Sequence, residues 1–169
     1  MDYFSSSGAY RENGTTVHGS PVLGVKALDE IKGFFANQTN GLTPTTTAIL
    51  FEEDRQKYNQ LLATLEGHGY AKRLKQTDNL LTLRDGEIAV IRGDSSQYIE
   101  RVLEFIELID PTYSFHFIDP YGAKGVERSN IEKIVSKKGT DCIINMMLNY
   151  FSRWISVAKP VVESHPTVS

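Results

Sequence analysis

The chain has 169 residues, enough for one domain with a real core, and its composition is that of an ordinary water-soluble fold. The net charge of −3 excludes an overall basic field for nucleic acid, though not a local patch. One cysteine, Cys142, excludes an internal disulfide framework and a cysteine-rich zinc site.

The N-terminus MDYFSSSGAY lacks the charged and apolar regions of a signal peptide, and no apolar run is long enough to span a membrane. A cytoplasmic location is the default expectation. The opening DYFSSSGAYRENG reads as a loop with half of a glycine motif. The first helix is predicted over GSPVLGVKALDEIKGFFANQ, with Ser20 as cap and Pro21 in its first turn. Val22, Val25, Leu28, Ile31 and Phe35 recur at helical spacing and are assigned to its core face. GLTPTT breaks the chain. TTTAILFEED then reads as a buried strand ending in acids, and Asp54 caps a helix over RQKYNQLLATLEG that Gly67 or Gly69 closes.

YAKRLKQTDNLLTLRDGE carries no clear period beyond a turn at Asp85-Gly86. IAVIRGD is a strand, and SSQYIERVLEFIELI is a helix capped by Ser95 or Ser96. After Pro111, YSFHFID is a strand. SNIEKIVSKK is a short helix ended by Gly139, CIINMML has strand length, and YFSRWISVA opens a last helix. Residues 1–158 form the predicted domain and 159–169 a polar tail. Strands alternating with helices predict an α/β fold: a mostly parallel sheet, helices on both faces, and ligands at the carboxyl ends of the strands.

That rule selects the acids at the strand tips. Glu52 stands where a carboxylate can accept both ribose hydroxyls, Asp94 where one can accept from an adenine amino group, and Asp119 ends the following strand. Each acid is also a good helix cap. The chain has no Walker-type loop and no full Gly-x-Gly-x-x-Gly, so a nucleoside fits better than a phosphate-anchored nucleotide. In FHFIDPYG, Pro120 ends the strand and stiffens the corner, placing Asp119 and Tyr121 beside the permissive Gly122. His116 within the strand reads as a buried, hydrogen-bonded residue. His18, His68 and His165 are scattered and suggest no metal site. Lys72, Arg73 and Lys75 read as a solvated basic cluster. Tyr150, Phe151, Arg153 and Trp154 read as packing or, if exposed, a partner surface.

Taken together, DYFSSSGAY with HGSPVLGVKAL, FEEDRQKYNQLLATL, IRGDSSQYI, FHFIDPYG and TDCIINMMLNYFSRW resemble the three-Cys-motif partner (TcmP) family, whose members look like class I S-adenosylmethionine-dependent methyltransferases. The resemblance covers Asp2 to about Trp154. It implies a Rossmann-like fold and S-adenosylmethionine as cofactor, held by Gly8, Glu52 and Asp94. It also implies catalytic roles for Asp119 and Tyr121 toward the methyl acceptor, and association with a separate cysteine-motif partner protein. The acceptor is unspecified. Asp-Pro-Tyr also resembles the corner of nucleic-acid base amino-methyltransferases, which stack and orient a flipped base, and such an enzyme of a mobile-element or defence system is one alternative. A non-catalytic partner module that retains the fold is the other alternative. The family loop carries Gly-Pro-Gly where this chain has Ser6-Ser7-Gly8, and the chain reads as clipped at both ends. An incomplete sheet without an intact central strand is therefore expected, open at an edge through which chains associate.

Overall fold

A computed structural model describes residues 1–38, 43–109, 112–120 and 127–145. It is α/β, as the alternation of apolar segments predicts. The strands are β1 (Ala9–Glu12), β2 (Thr15–His18), β3 (Ala48–Glu52), β4 (Leu74–Lys75), β5 (Ile88–Arg92), β6 (Ser114–Ile118) and β7 (Thr140–Ile144). The helices are α1 (Ser20–Gln38), α2 (Arg55–Gly67), α3 (Ile99–Leu108) and α4 (Arg128–Val135).

The sheet centre is occupied. Met1 to Ser5 run between β3 and β6, with Asp2 bridged in parallel to Leu50 on one side and Phe117 on the other. Asp2 N donates to Ile49 O at 2.9 Å, Phe51 N to Asp2 O at 2.9 Å, and Tyr3 N to Phe117 O at 3.1 Å. β3 pairs in parallel with β5, β5 with the two-residue β4, and β6 with β7. The strand order is thus β4-β5-β3, the N-terminal segment, then β6-β7. The unpaired central edge expected from the sequence is absent, because five residues suffice to complete both ladders there.

β3 is buried at Ala48 to Phe51 and β5 at Ile88 to Ile91, without alternation, because helices cover both of their faces. On one face α1 and α2 bring Val22, Val25, Leu61 and Leu65 onto Leu50, Ile88 and Val90. On the other, α3 and α4 bring Val102, Leu103, Ile106 and Ile134 onto Phe51, Ile91 and Ile118. Burying each such side chain contributes about 1.5–3 kcal/mol before chain entropy is counted. From the N-terminal segment the chain moves outward to β3 and on to β4 at the edge, steps back to β5 between them, then crosses to β6 and β7 on the other side. The direction therefore reverses between the N-terminal segment and β6, and a crevice opens beyond strand tips at such a reversal.

Several expected elements differ. Residues 9–18 form an antiparallel hairpin, with Glu12 opposite Thr15 and positive φ at Asn13 (49°) and Gly14 (79°). Asn-Gly is the dipeptide that a two-residue turn of that hand requires. Ser20 is the first residue of α1, and its hydroxyl serves Asp2. Ile31 and Phe35, assigned by periodicity to the core face of α1, are 47% and 41% exposed; only Pro21, Val22 and Val25 are buried. The helix outruns the sheet beneath it. Asp94, not Ser95 or Ser96, caps the turn leading into α3. The unclear stretch after Gly69 contains two short 3-10 turns flanking β4. The predicted helix YFSRWISVA and the residues Tyr150, Phe151, Arg153, Trp154 and His165 lie outside the described residues.

Candidate functional site

The strand tips meet at one edge of the sheet, and a broad cleft lined by Asp2, Ser5, Gly8, Glu52, Asp94 and Asp119 runs along it. The cleft continues over an apolar face beyond these tips, so the tips and not its full extent define the site.

Asp2 is the carboxylate that sequence reasoning did not assign. It is 5% exposed, accepting from Ser20 Oγ at 2.7 Å and from Phe4 N at 3.2 Å. Burial pushes its carboxyl up; the Ser20 and Phe4 hydrogen bonds oppose that, and the charge of Asp119 adds to it. Asp2 is bridged to Phe117, two residues before Asp119, so both acids line the cleft at the reversal point. The signal was present as the first acid of DYFSSSG, but only its parallel bridges to Leu50 and Phe117 reveal that Asp2 lies inside the sheet, two residues short of the level of Glu52 and Asp119.

The loop that follows is set by packing. Ser6 has φ 51° and Gly8 φ 74°. A Cβ on Gly8 would lie 2.9 Å from Leu61 Cδ1, and one on Gly19 would lie 3.0 Å from the Gly8 carbonyl. Thr64 Oγ1 donates to Ser7 O at 2.9 Å, and Gly19 N to Gly8 O at 2.8 Å. Gly8 thus lets the loop lie flat on α2 and against the entry to α1. Ser6, exposed, carries its Cβ in a left-handed conformation that costs roughly 1–2 kcal/mol.

Glu52 ends β3 half-buried, and its Oε1 accepts from Asp54 N at 2.8 Å. Arg92 stands beside it in register on β5. Asp54 caps α2 through Lys57 N at 2.8 Å. Asp94 accepts from Ser96 N at 3.0 Å and Ser96 Oγ at 2.7 Å, so it does cap work at its tip. Asp119, partly buried, accepts from Asn145 Nδ2 at 2.9 Å. The structure therefore brings Gly8, Glu52, Asp94 and Asp119 to one edge; Tyr121 and Gly122 lie outside the described residues.

The remaining titratable groups have other roles. His116 is fully buried, with Nδ1 at 2.8 Å from Tyr3 Oη and Nε2 at 3.1 Å from Ser114 Oγ, as its place in the strand suggested. Burial lowers its pKa to about 3. His18 and His68 are not scattered: their rings lie 4.5 Å apart. Among the described residues no group of three metal-ligating side chains occurs. Arg73 pairs with Asp29 at 2.8 Å and Lys75 with Glu87 at 3.1 Å, so the basic cluster is partly engaged within the chain. Cys142 is half-buried against the α3–α4 core, which pushes its thiol up. No described helix is long and apolar enough to cross a membrane.

No family model, curated protein or solved structure matches this chain.

Proposed function

We propose that the carboxyl edge of this sheet binds S-adenosylmethionine and that the chain is a TcmP-like methyltransferase of the class I, Rossmann-like type. The observation that supports this reading is the row of carboxylates along one cleft: Asp94, Glu52 and Asp119 at neighbouring strand tips, with Asp2 just inside the sheet between Glu52 and Asp119. The first turn of α1 is where a doubly wound fold commonly presents backbone amides to a phosphate. Here the chain's own buried Asp2 is bonded to Ser20 in that turn. A phosphate there would meet a carboxyl group that already occupies the turn. A ligand with an ammonium, a sulfonium and ribose hydroxyls suits the edge better than a pyrophosphate does.

In this reading Glu52 accepts from the ribose, Asp94 orients the base, and Gly8 holds the loop beneath the cofactor. Asp119 faces the acceptor. The cofactor supplies an activated methyl group; the residues supply alignment, because methyl transfer needs an in-line approach and positioning alone accounts for much of such catalysis. Calorimetric titration with S-adenosylhomocysteine tests it. Saturable binding that falls about tenfold or more in Glu52→Ala supports the assignment, since a charge-assisted hydrogen bond is worth about 1.5–3 kcal/mol. Equal affinity in wild type and Glu52→Ala would remove Glu52 from the site, and no binding would remove the cofactor.

The non-catalytic alternative has its own support. Phe115 and Ile143, 46% and 52% exposed, face the same cleft as the exposed Ile31. An apolar face of this kind suits a protein partner, such as a cysteine-motif protein.

A further inference from the structure

Asn145 follows β7 and is held by two contacts. Its backbone N donates to Ile118 O at 2.9 Å, extending the β6–β7 ladder by one residue. Its Nδ2 donates to Asp119 Oδ1, also at 2.9 Å. A carboxylate accepts only, so Asp119 decides which end of the Asn145 amide carries the nitrogen. The ladder bond fixes the backbone that carries the side chain, and the Asp119 bond orients the amide itself. Among the described residues, Asn145 Oδ1 and Asp119 Oδ2 carry no hydrogen bond, and the Asn145 side chain is exposed at the tip.

An oriented amide presents an acceptor and a donor side by side. That edge complements a ring that carries an amino group beside a ring nitrogen: Oδ1 accepts from the amino group and the second Nδ2 hydrogen donates to the ring nitrogen. Asp119 Oδ2 adds a further acceptor. We propose that Asn145, oriented by Asp119, is a recognition residue for an amino-substituted nitrogen heterocycle, the edge that adenine presents. The proposal rests on the strand-tip edge being a ligand site, and it deepens that reading by naming the class of the second ligand. Asp119 then has two duties, fixing the amide and accepting from the ligand.

The test uses the full chain and two probes: 9-methyladenine, which presents an amino donor beside a ring-nitrogen acceptor, and 9-methylhypoxanthine, which presents a carbonyl beside a ring N–H. The Asn145 side-chain amide resonance reports binding at that residue. 9-Methyladenine should shift it saturably, and 9-methylhypoxanthine should bind about tenfold more weakly or not at all. Asn145→Ala should weaken 9-methyladenine about tenfold while leaving S-adenosylhomocysteine affinity and melting temperature unchanged. Equal binding of the two purines, no shift with either, or full affinity in Asn145→Ala overturns the proposal. Binding of 9-methyladenine without S-adenosylhomocysteine binding would sink only the cofactor reading; the reverse would sink only this one.

Discussion

Ser20 Oγ donates to Asp2 Oδ2 at 2.7 Å, joining the central sheet segment to the first turn of α1. The contact ties together the parts of the molecule that shape the edge: the N-terminal segment, the Ser5–Gly8 loop and the helix behind it. It also holds a buried carboxylate in the cleft that Asp119 lines.

Because burial raises the carboxyl of Asp2, its charged form is the disfavoured one in the fold. Stability from this group is therefore largest at low pH and declines as pH rises above the unfolded carboxylate range. Asp2→Asn keeps the shape and an acceptor. It should melt higher than wild type at pH 7, by about 2–4 °C for each kcal/mol gained, with a smaller difference at pH 4. Scanning calorimetry at the two pH values checks this. The same variant should lose S-adenosylhomocysteine affinity if Asp2 belongs to the ligand edge.

His116 behaves in the opposite sense. Its pKa of about 3 in the fold lies below the ordinary imidazole value, so the unfolded chain binds more protons below pH 6.5 or so. The stabilisation is present above that pH and is lost as pH falls from about 6.5 toward 3, amounting to roughly 3 kcal/mol at pH 4. Urea denaturation of His116→Gln at pH 7 and pH 4.5 should show a flatter pH dependence than wild type. An identical slope in the two proteins would show that His116 is not the titrating group.

Gly8→Ala should destabilise by about 1–2 kcal/mol from backbone strain alone, with more from the 2.9 Å approach to Leu61. Ser6→Gly should change stability by no more than about 1 kcal/mol, because relief of strain is offset by the added freedom of the unfolded chain. Equal effects at the two positions in thermal melts would contradict the packing assigned to Gly8.

On α1, Val25→Ala should cost about 2 kcal/mol or more, as large-to-small changes in a core do. Ile31→Ala should cost less than about 1 kcal/mol, because Ile31 is nearly half exposed. Chemical denaturation of the two variants compares them directly.

The alternation of AILF, IAVI and SFHFI with amphipathic helices was legible in the chain itself, because strand and helix periods are local properties. So were the acids that follow each strand, the cap at Asp54 and the buried character of His116. The Asn13-Gly14 hairpin was written there as well and went unread. Other features depended on residues distant in sequence. Met1 to Ser5 hold too little local pattern to announce a strand; backbone groups of β3 and β6, far along the chain, make them one. The pairs Asp2–Ser20, His18–His68 and Asp119–Asn145 exist only because the sheet order sets those residues side by side. Ile31 and Phe35 follow the helical period faithfully yet are exposed, since periodicity marks which side of a helix is apolar and only the extent of the sheet beneath decides how much of that side is covered.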